Sequence, residues 1–227
     1  MISAPAGRGS PVNIDANIAK YLKTHRPTDR YTSFDYCFNY FQSHCDEGRI
    51  PALAEESGLQ LSCLHLGFYL ASLGMYRGST ALLQRSLRHL APVVEVIADA
   101  PQGVWTADAD DYSDRVCAEL LELAGRLRGA FRERPTDTRP TDTLVTKTML
   151  GVFGCVPASD QYVIKGSGLR TFNRRSLQWL ARFYEANREG IDRHRIPTLD
   201  FDTGRPTSRL YSRAKVIDMI FFVEGAG

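Results

Sequence analysis

Residues 146–166 read TKTMLGVFGCVPASDQYVIKG, and this stretch predicts a helix, a turn and a second helix. The apolar run is interrupted at Gly154 and Pro157, which are typical of helix ends, and Asp160 follows them closely. The position of Asp160 allows two interpretations. Its carboxylate is either the N-cap of the next helix, because Ser-Asp is a common start signal, or an active-site acid at the mouth of a helical cleft.

Apolar residues at helical spacing on both sides of this stretch predict an all-α fold. The segment 59–74, LQLSCLHLGFYLASLG, is apolar nearly all round, which predicts a central buried helix. Its inward-facing residues are predicted to include Leu61, Leu64, Phe68 and Ala71. Other predicted helices cover 13–25, 33–45, 114–132, 144–153 and 173–192. No segment alternates convincingly between apolar and polar residues, so no strand is predicted.

A repeated pentapeptide, RPTDTRPTDT at 134–143, is the best candidate for a boundary in the chain. It holds two prolines and no apolar side chain, which is typical of an extended linker. We therefore predict two helical lobes, 14–133 and 144–227, which flank a cleft or form one continuous domain. Residues 1–13 lack the apolar segment of a signal peptide and are predicted to be a disordered tail.

The composition of the 227-residue chain is that of an ordinary soluble domain, with 43% hydrophobic and 24% charged residues. No apolar stretch is long enough to span a bilayer. The five cysteines are scattered and odd in number, which favours a reduced cytoplasmic protein with buried thiols. No cysteine or histidine pair has the spacing of zinc ligands, so neither a metal nor a cofactor is expected.

Charge is distributed unevenly along the chain. Residues 92–122 hold eight acidic residues against one basic residue, whereas 161–215 hold twelve lysines and arginines against five acidic residues. The basic half is either a surface that attracts polyanions or simply a solvated helical face.

The segment LDFDTG at 199–204 is similar to the nucleophile loop of haloacid-dehalogenase-like phosphatases. That loop requires a buried strand of a parallel sheet, which an all-α chain does not supply. We therefore predict a polar turn at this position.

The run LVTKTMLGVFG followed by VPASDQYV resembles the catalytic region of helix-hairpin-helix DNA glycosylases. In that superfamily a helix that carries a lysine in some members leads through a proline-containing loop to an aspartate at the start of the next helix. Lys147 falls at the lysine position and Asp160 at the position of the catalytic aspartate. The glycine-containing hairpin of the family is missing before Lys147, where the chain reads TDTLVTK.

The resemblance implies a DNA glycosylase that excises a modified base, including the hypermodified pyrimidines of phage DNA. A fixed carboxylate at Asp160 would stabilise the oxocarbenium ion or activate water, and Lys147 would be an auxiliary or lyase residue. A flipped base would require aromatic and polar pocket groups, for which the candidates are Tyr36, Asn39, Tyr76 and Arg77. Candidate phosphate contacts are Arg170, Arg174, Arg175 and Arg182.

Each of these residues also has an ordinary structural interpretation. The alternatives are Asp160 as a helix cap, Lys147 as a solvated helical residue, the tyrosines as core, and Arg77 in a structural pair with a carboxylate such as Asp35. The alternative function is a non-catalytic all-α module that binds nucleic acid or a protein partner.

Overall fold

The computed structural model describes residues 12–77, 81–132 and 139–227, and within these ranges the chain is mostly helical, as predicted. The α-helices are α1 (Ile14–Leu22), α2 (Ser33–Asp46), α3 (Glu56–Ser72), α4 (Ala91–Ala98), α5 (Gln102–Trp105), α6 (Asp114–Ala130), α7 (Asp142–Phe153), α8 (Gln161–Ser167), α9 (Arg174–Ala186), α10 (Arg188–Arg193) and α11 (Arg213–Ala226). Short 3-10 helices cover Arg30–Thr32, Ile50–Leu53, Ala81–Gln84 and Leu87–Leu90.

A small antiparallel hairpin corrects the prediction that the chain has no strand. Strand β1 (Pro197–Leu199) pairs with β2 (Pro206–Leu210), with Leu199 opposite Pro206. The segment LDFDTG forms its turn, where Asp200 Oδ1 accepts from the Thr203 amide at 2.9 Å. A strand of three residues is too short to produce a visible alternation in the sequence.

Asp35 of α2 connects this hairpin to the helices. Its side chain is fully buried and accepts hydrogen bonds from the Leu199 amide at 2.7 Å and the Tyr211 hydroxyl at 2.5 Å. The His25 ring lies 3.0 Å from the same carboxylate. A buried carboxylate is stable only when its oxygens are bonded in this way, so Asp35 has a structural role.

The centre of the molecule is formed by α7 and α11, whose residues are nearly all buried. Helix α11 packs against α8 and α1, while α2 packs against α7 and α3. Two glycines allow the close approach of α8 and α11. A Cβ at Gly166 would lie 2.2 Å from the Phe221 carbonyl oxygen, and one at Gly225 would lie 1.9 Å from the Tyr162 carbonyl oxygen.

Apolar residues from both sides of the repeat at 134–143 belong to one hydrophobic core. Helix α6 packs against α7, which begins at Asp142 after the N-cap Thr141. The last two residues of the predicted linker are therefore helical. Residues 1–11 and 134–138, which make up most of the predicted tail and the first half of the predicted linker, lie outside the described ranges.

Helix α3 differs from its prediction as a fully buried central helix. Leu61, Leu64 and Phe68 were expected in the core, but they are 49%, 48% and 68% exposed. The opposite face is the buried one, and Tyr69 and Leu70 are almost inaccessible there. Because both faces are apolar, periodicity alone does not show which of them points inward.

Candidate active site

Lys147 is buried in the middle of α7 instead of being solvated. Its side chain is 8% exposed, and its Nζ lies 3.6 Å from Asp160 Oδ2. Nζ also donates to the Leu73 carbonyl at 3.2 Å, just beyond the end of α3. The Tyr69 hydroxyl donates to the backbone carbonyl of Lys147 at 3.1 Å. Helix α3 therefore positions both the backbone and the amine of Lys147.

The two carboxylate oxygens of Asp160 have different partners. Oδ1 accepts from the amides of Tyr162 and Val163, both at 3.0 Å, so the side chain is the N-cap of α8. Oδ2 is the oxygen that faces Lys147. The turn before α8 fixes this orientation, because Gly154 has the left-handed φ of 65° that ends α7 and Pro157 follows it. The cap uses one oxygen and leaves the other directed at the amine.

A second lysine–aspartate pair, which the sequence did not lead us to predict, lies beside the first. Lys215 Nζ lies 3.1 Å from Asp218 Oδ2, both on α11, and donates to the Tyr21 hydroxyl at 3.1 Å. Asp218 Oδ1 accepts from the Ala158 amide at 2.9 Å, which anchors the turn before Asp160. The signal was present in KVIDMIFF, where two charges interrupt an apolar helix. Lysine and aspartate are almost never fully buried unless they are paired.

Both pairs line one cavity with aromatic walls. The cavity has a volume of about 30 Å³, enough for about two water molecules, each of which needs roughly 10–15 Å³. Aromatic rings form much of its wall: Tyr21, Tyr31, Phe34, Tyr69 and Phe222. Tyr31 and Phe222 are only partly buried and meet edge to face with their centroids 5.5 Å apart. Of the five rings in the wall, these two are the ones that solvent reaches, because Tyr21, Phe34 and Tyr69 are buried.

Burial changes the proton affinities of the charged groups in this cavity. It lowers the pKa of Lys147, and the negative charges of Asp160 and Asp218 oppose that decrease only in part. Burial raises the pKa of Asp218, against the attraction of Lys215. For Lys215, burial opposes the charged form, yet contact with Tyr21 and Asp218 holds its pKa above the usual value. Lys147 is therefore the lysine of the two that gives up its proton more readily.

The predicted pocket groups on α2 lie at the hairpin and do not line this cavity. Asn39 donates to the Leu199 carbonyl at 3.0 Å and accepts from the Thr198 hydroxyl at 2.8 Å. The Tyr36 hydroxyl donates to the Pro27 carbonyl at 2.6 Å, and its ring packs against Phe201. These contacts hold the hairpin against α2 and give Asn39 and Tyr36 a structural function.

Tyr76 and Arg77 follow the end of α3 and are also absent from the lining of the cavity. Tyr76 is partly buried and packs on the core, while Arg77 is exposed. The Arg77 guanidinium lies over the turn at Gly74, where a Cβ would come within 3.2 Å of its Nε. The pairing of Arg77 with Asp35, one possibility suggested by the sequence, is not formed, since Asp35 bonds to the hairpin.

The predicted phosphate contacts Arg170, Arg174, Arg175 and Arg182 are all exposed. Arg174 is engaged with Asp114 of α6, with its Nη1 3.1 Å from Oδ1. Arg175 and Arg182 are seven residues apart on α9, so they share one face of that helix.

A wide depression elsewhere on the surface was not foreseen. It encloses about 780 Å³ next to α4 and the end of α6. Among the residues that the structure describes, four basic side chains and one acidic residue, Glu95, line it. The basic residues are Arg85, Arg88, His89 and Arg132. Its excess of positive charge makes it a second surface that would attract a polyanion.

Among the described residues, no group of three or more histidine, cysteine or acidic side chains is arranged to hold a metal ion. None of the helices within those ranges has the length and apolar character required to cross a bilayer. Comparisons with protein-family models, curated proteins and solved structures find no match for this chain. Function is therefore inferred from the chemistry of the cavity.

Proposed function

We propose that this protein is a DNA glycosylase and that the cavity between α7, α8 and α11 is its active site. The observation that supports this most strongly is the Lys147–Asp160 pair, with Nζ and Oδ2 3.6 Å apart among aromatic side chains. The resemblance to the helix-hairpin-helix glycosylases selects these two residues, and the fold brings them together in one buried site.

The chemistry requires a negative group close to C1′ of the deoxyribose. Positive charge develops on the sugar as the N-glycosidic bond breaks, and a fixed carboxylate in a water-poor site stabilises it strongly. Asp160 Oδ2 is suited to this because the cap to α8 holds the carboxylate in place through Oδ1. The same oxygen can instead accept a proton from an attacking water molecule.

Lys147 adds a second, covalent route. Its lowered pKa increases the fraction of neutral amine, which is the nucleophilic form. The amine attacks C1′, and the electrons of the broken bond leave with the base. One amine proton passes to the ring oxygen as the sugar opens to an iminium ion, and the base anion takes a proton from water.

The cavity of about 30 Å³ holds water but not a nucleobase. Entry of a base therefore requires Tyr31 and Phe222, the partly exposed rings of the wall, to move apart. Tyr162 packs edge to face on Phe222 with a centroid distance of 5.2 Å and extends this aromatic surface to the outside. Such rings stack on flipped bases, with about 1–3 kcal/mol per base in comparable sites.

The specific substrate class that we propose is modified DNA, including the hypermodified pyrimidines of phages, which gives the protein a role in phage defence. Two positively charged surfaces can hold the DNA backbone, namely the α9 face with Arg175 and Arg182 and the depression lined by Arg85 and Arg88.

The small cavity also favours one alternative, a non-catalytic module that binds nucleic acid or a protein. In that case the two lysine–aspartate pairs serve only to fix the turn between α7 and α8. A glycosylase and a module that binds nucleic acid both predict DNA binding that weakens with salt, so binding alone does not separate them.

Abasic-site formation separates the two functions. Purified protein is incubated with unmodified DNA and with hypermodified phage DNAs, and alkali then cleaves any abasic sites. A glycosylase produces breaks in at least one of these DNAs, and the sensitive DNA reveals the substrate class. A folded, DNA-binding protein that yields no breaks in any of them supports the binding module. Borohydride trapping of a protein–DNA adduct in the wild type, but not in Lys147→Met, tests the covalent route.

A further inference from the structure

Helix α3 carries an exposed apolar stripe on the side that faces away from the core. We name the α3 stripe as Leu61, Leu64, Phe68 and Ala71, all of which are exposed. Phe68 has 68% of its surface accessible. Large apolar side chains that are exposed together on one helix face mark an interaction surface more often than isolated ones do.

The spacing of the α3 stripe shows what kind of surface would cover it. The intervals of three, four and three residues are those of a coiled-coil seam, in which each side chain fits between residues of a facing helix. Helix α3 spans 17 residues, or about 25 Å at 1.5 Å per residue, which is long enough for such packing. The complementary surface is therefore another apolar helix.

No described element of this chain covers the α3 stripe, since its side chains are exposed. The residues outside the described ranges, 1–11, 78–80 and 133–138, contain only two large apolar side chains, Met1 and Ile2. The other residues in these segments are small, polar or charged or are prolines. They cannot supply a helix face that matches two leucines and a phenylalanine.

Charge at the two ends of α3 favours a second copy of the same chain. The exposed Glu55 and Glu56 lie at the N-terminal end. At the C-terminal end, exposed Arg30 donates to the Ser72 carbonyl, and Arg77 is exposed nearby. Two antiparallel copies of α3 place the acidic end of each beside the basic end of the other. Parallel copies would place like charges together and would also align their helix dipoles unfavourably.

We infer that the protein forms a two-fold symmetric dimer through antiparallel packing of its α3 stripes. An axis midway along the stripe sets Leu64 of one copy opposite Phe68 of the other, and Leu61 opposite Ala71. Such an arrangement is self-complementary and closes at two copies.

The α3 stripe and the cavity lie on different faces of α3. Tyr69 lines the cavity, and the Leu73 carbonyl accepts from Lys147, whereas the stripe points away from both. Dimerisation therefore leaves the cavity accessible in each copy. The inference does not depend on the activity proposed for that cavity.

Molecular mass in solution tests the dimer itself. Sedimentation equilibrium of the full chain over a range of concentrations is expected to show a dimer for the wild type. Leu64→Glu with Phe68→Gln is expected to weaken association at least 100-fold, because it places charge and polarity in the seam. Phe201→Gln is the matched control, since Phe201 is 72% exposed but lies in the hairpin turn. All the substituted side chains are exposed, and circular dichroism checks that each variant is folded.

Disulfide formation tests the orientation. In the antiparallel dimer, a mixture of Leu61→Cys and Ala71→Cys proteins is expected to give a disulfide-linked heterodimer under mild oxidation. Leu61→Cys alone gives none above the wild-type background, because its two copies lie about 15 Å apart along the helix axis. Covalent homodimers of Leu61→Cys would contradict the antiparallel arrangement. A wild-type monomer at every concentration, or equal association of the seam variant, would overturn the inference.

Discussion

The two oxygens of Asp160 have different tasks, and this division governs what its substitutions should do. Oδ1 caps α8 through two backbone amides, while Oδ2 faces the amine of Lys147. Asparagine caps a helix as well as aspartate does but carries no charge. Asp160→Asn therefore keeps the cap of α8 and removes the negative charge that faces Lys147. Asp160→Ala removes both the cap and the charge.

The free energies of unfolding of these two variants should differ by the contribution of the helix cap. We expect Asp160→Ala to lose about 1 kcal/mol more free energy of unfolding than Asp160→Asn, since loss of a cap typically costs about 0.5–2 kcal/mol. Urea denaturation of the two variants and the wild type measures the difference. Equal stability of the two variants would show that the Oδ1 contacts do not hold α8.

The pKa of Lys147 predicts how stability changes with pH. Because the pKa is lowered in the folded state, the unfolded chain binds more protons between that lowered value and the ordinary 10.5. The free energy of unfolding of the wild type, relative to Lys147→Met, should therefore rise as the pH rises towards 10.5. Subtracting the variant removes the contributions of tyrosines and cysteines, whose raised pKa values act in the opposite direction.

Denaturant unfolding at several values between pH 7 and about pH 10 measures this difference. Lys165→Met, on the exposed surface of α8, is the matched control for the loss of a lysine side chain. A difference between wild type and Lys147→Met that stays constant with pH would contradict the lowered pKa.

At the residue scale, sequence patterns predicted two of the residues that the structure brings together in the cavity, Lys147 and Asp160. Lys147 and Asp160 follow from a helix, a Gly/Pro turn and an acid at the next helix start, all of which are local. Lys215 lies 55 or more positions from either residue along the chain, so only the packing of α11 against α8 reveals that it shares their cavity. Residue type alone predicts Tyr36 and Asn39 as groups of a base-binding pocket. It does not show which face of α2 contacts the hairpin.

At the scale of elements, the crossing of α8 and α11 sets the geometry of the site. Asp160 begins α8, and Lys215 and Asp218 lie on α11, so the distance between these helices decides how close the two pairs lie. Gly166 and Gly225 permit that distance because neither has a Cβ.

Alanine at either glycine should destabilise the protein. An added Cβ would lie 2.2 Å or less from a backbone carbonyl oxygen. A backbone atom cannot move aside as the end of a flexible side chain can. We expect Gly166→Ala and Gly225→Ala each to cost about 1–3 kcal/mol, as overpacking commonly does. Gly125→Ala on α6 is the control, since a Cβ there meets nothing within 4 Å, and helix propensity predicts a gain of up to about 1 kcal/mol.

Thermal or urea unfolding measures the free energy of unfolding of these three variants. If Gly166→Ala and Gly225→Ala are as stable as Gly125→Ala, then α8 and α11 do not approach closely enough for an added Cβ to clash with the backbone.

A helix with one polar face is easier to orient from its sequence than one without, although the single helix predicted at 173–192 is divided at Asn187 into α9 and α10. Helix α6 agrees with its predicted range almost to its ends, and its Leu120 and Leu127 lie in the core. Helix α3 has no polar face, so its pattern did not reveal which leucines point outward. The hairpin was missed because its strands depend on contacts with α2, including Asp35 and Asn39, rather than on their own alternation.

At the scale of the whole molecule, the proposed function requires a basic surface that holds DNA, and the α9 face is one of two such surfaces. Arg175→Gln with Arg182→Gln should weaken DNA binding and reduce the slope of log K against log salt by about 2, about 1 for each lost phosphate contact. Arg188→Gln should have little effect, because Arg188 already pairs with Glu185 at 2.7 Å.

Fluorescence anisotropy with labelled DNA at several salt concentrations measures these slopes. An unchanged slope for the double variant would exclude the α9 face. The surface that holds the DNA backbone would then be the depression beside α4, with Arg85 and Arg88.

The central claim is that the charge of Asp160, and not only its cap, is essential to the protein. The most direct measurement is abasic-site formation by wild type, Asp160→Asn and the control Asp200→Asn on the hypermodified DNA that the wild type cleaves best. Asp200 also uses one oxygen to cap a local turn but lies outside the cavity.

We predict that Asp160→Asn loses at least 100-fold in rate while its fold and DNA affinity remain near those of the wild type, and that Asp200→Asn stays fully active. Activity of Asp160→Asn equal to that of the wild type, or no abasic sites from the wild type on any DNA, would contradict the account and leave Asp160 as the cap of α8.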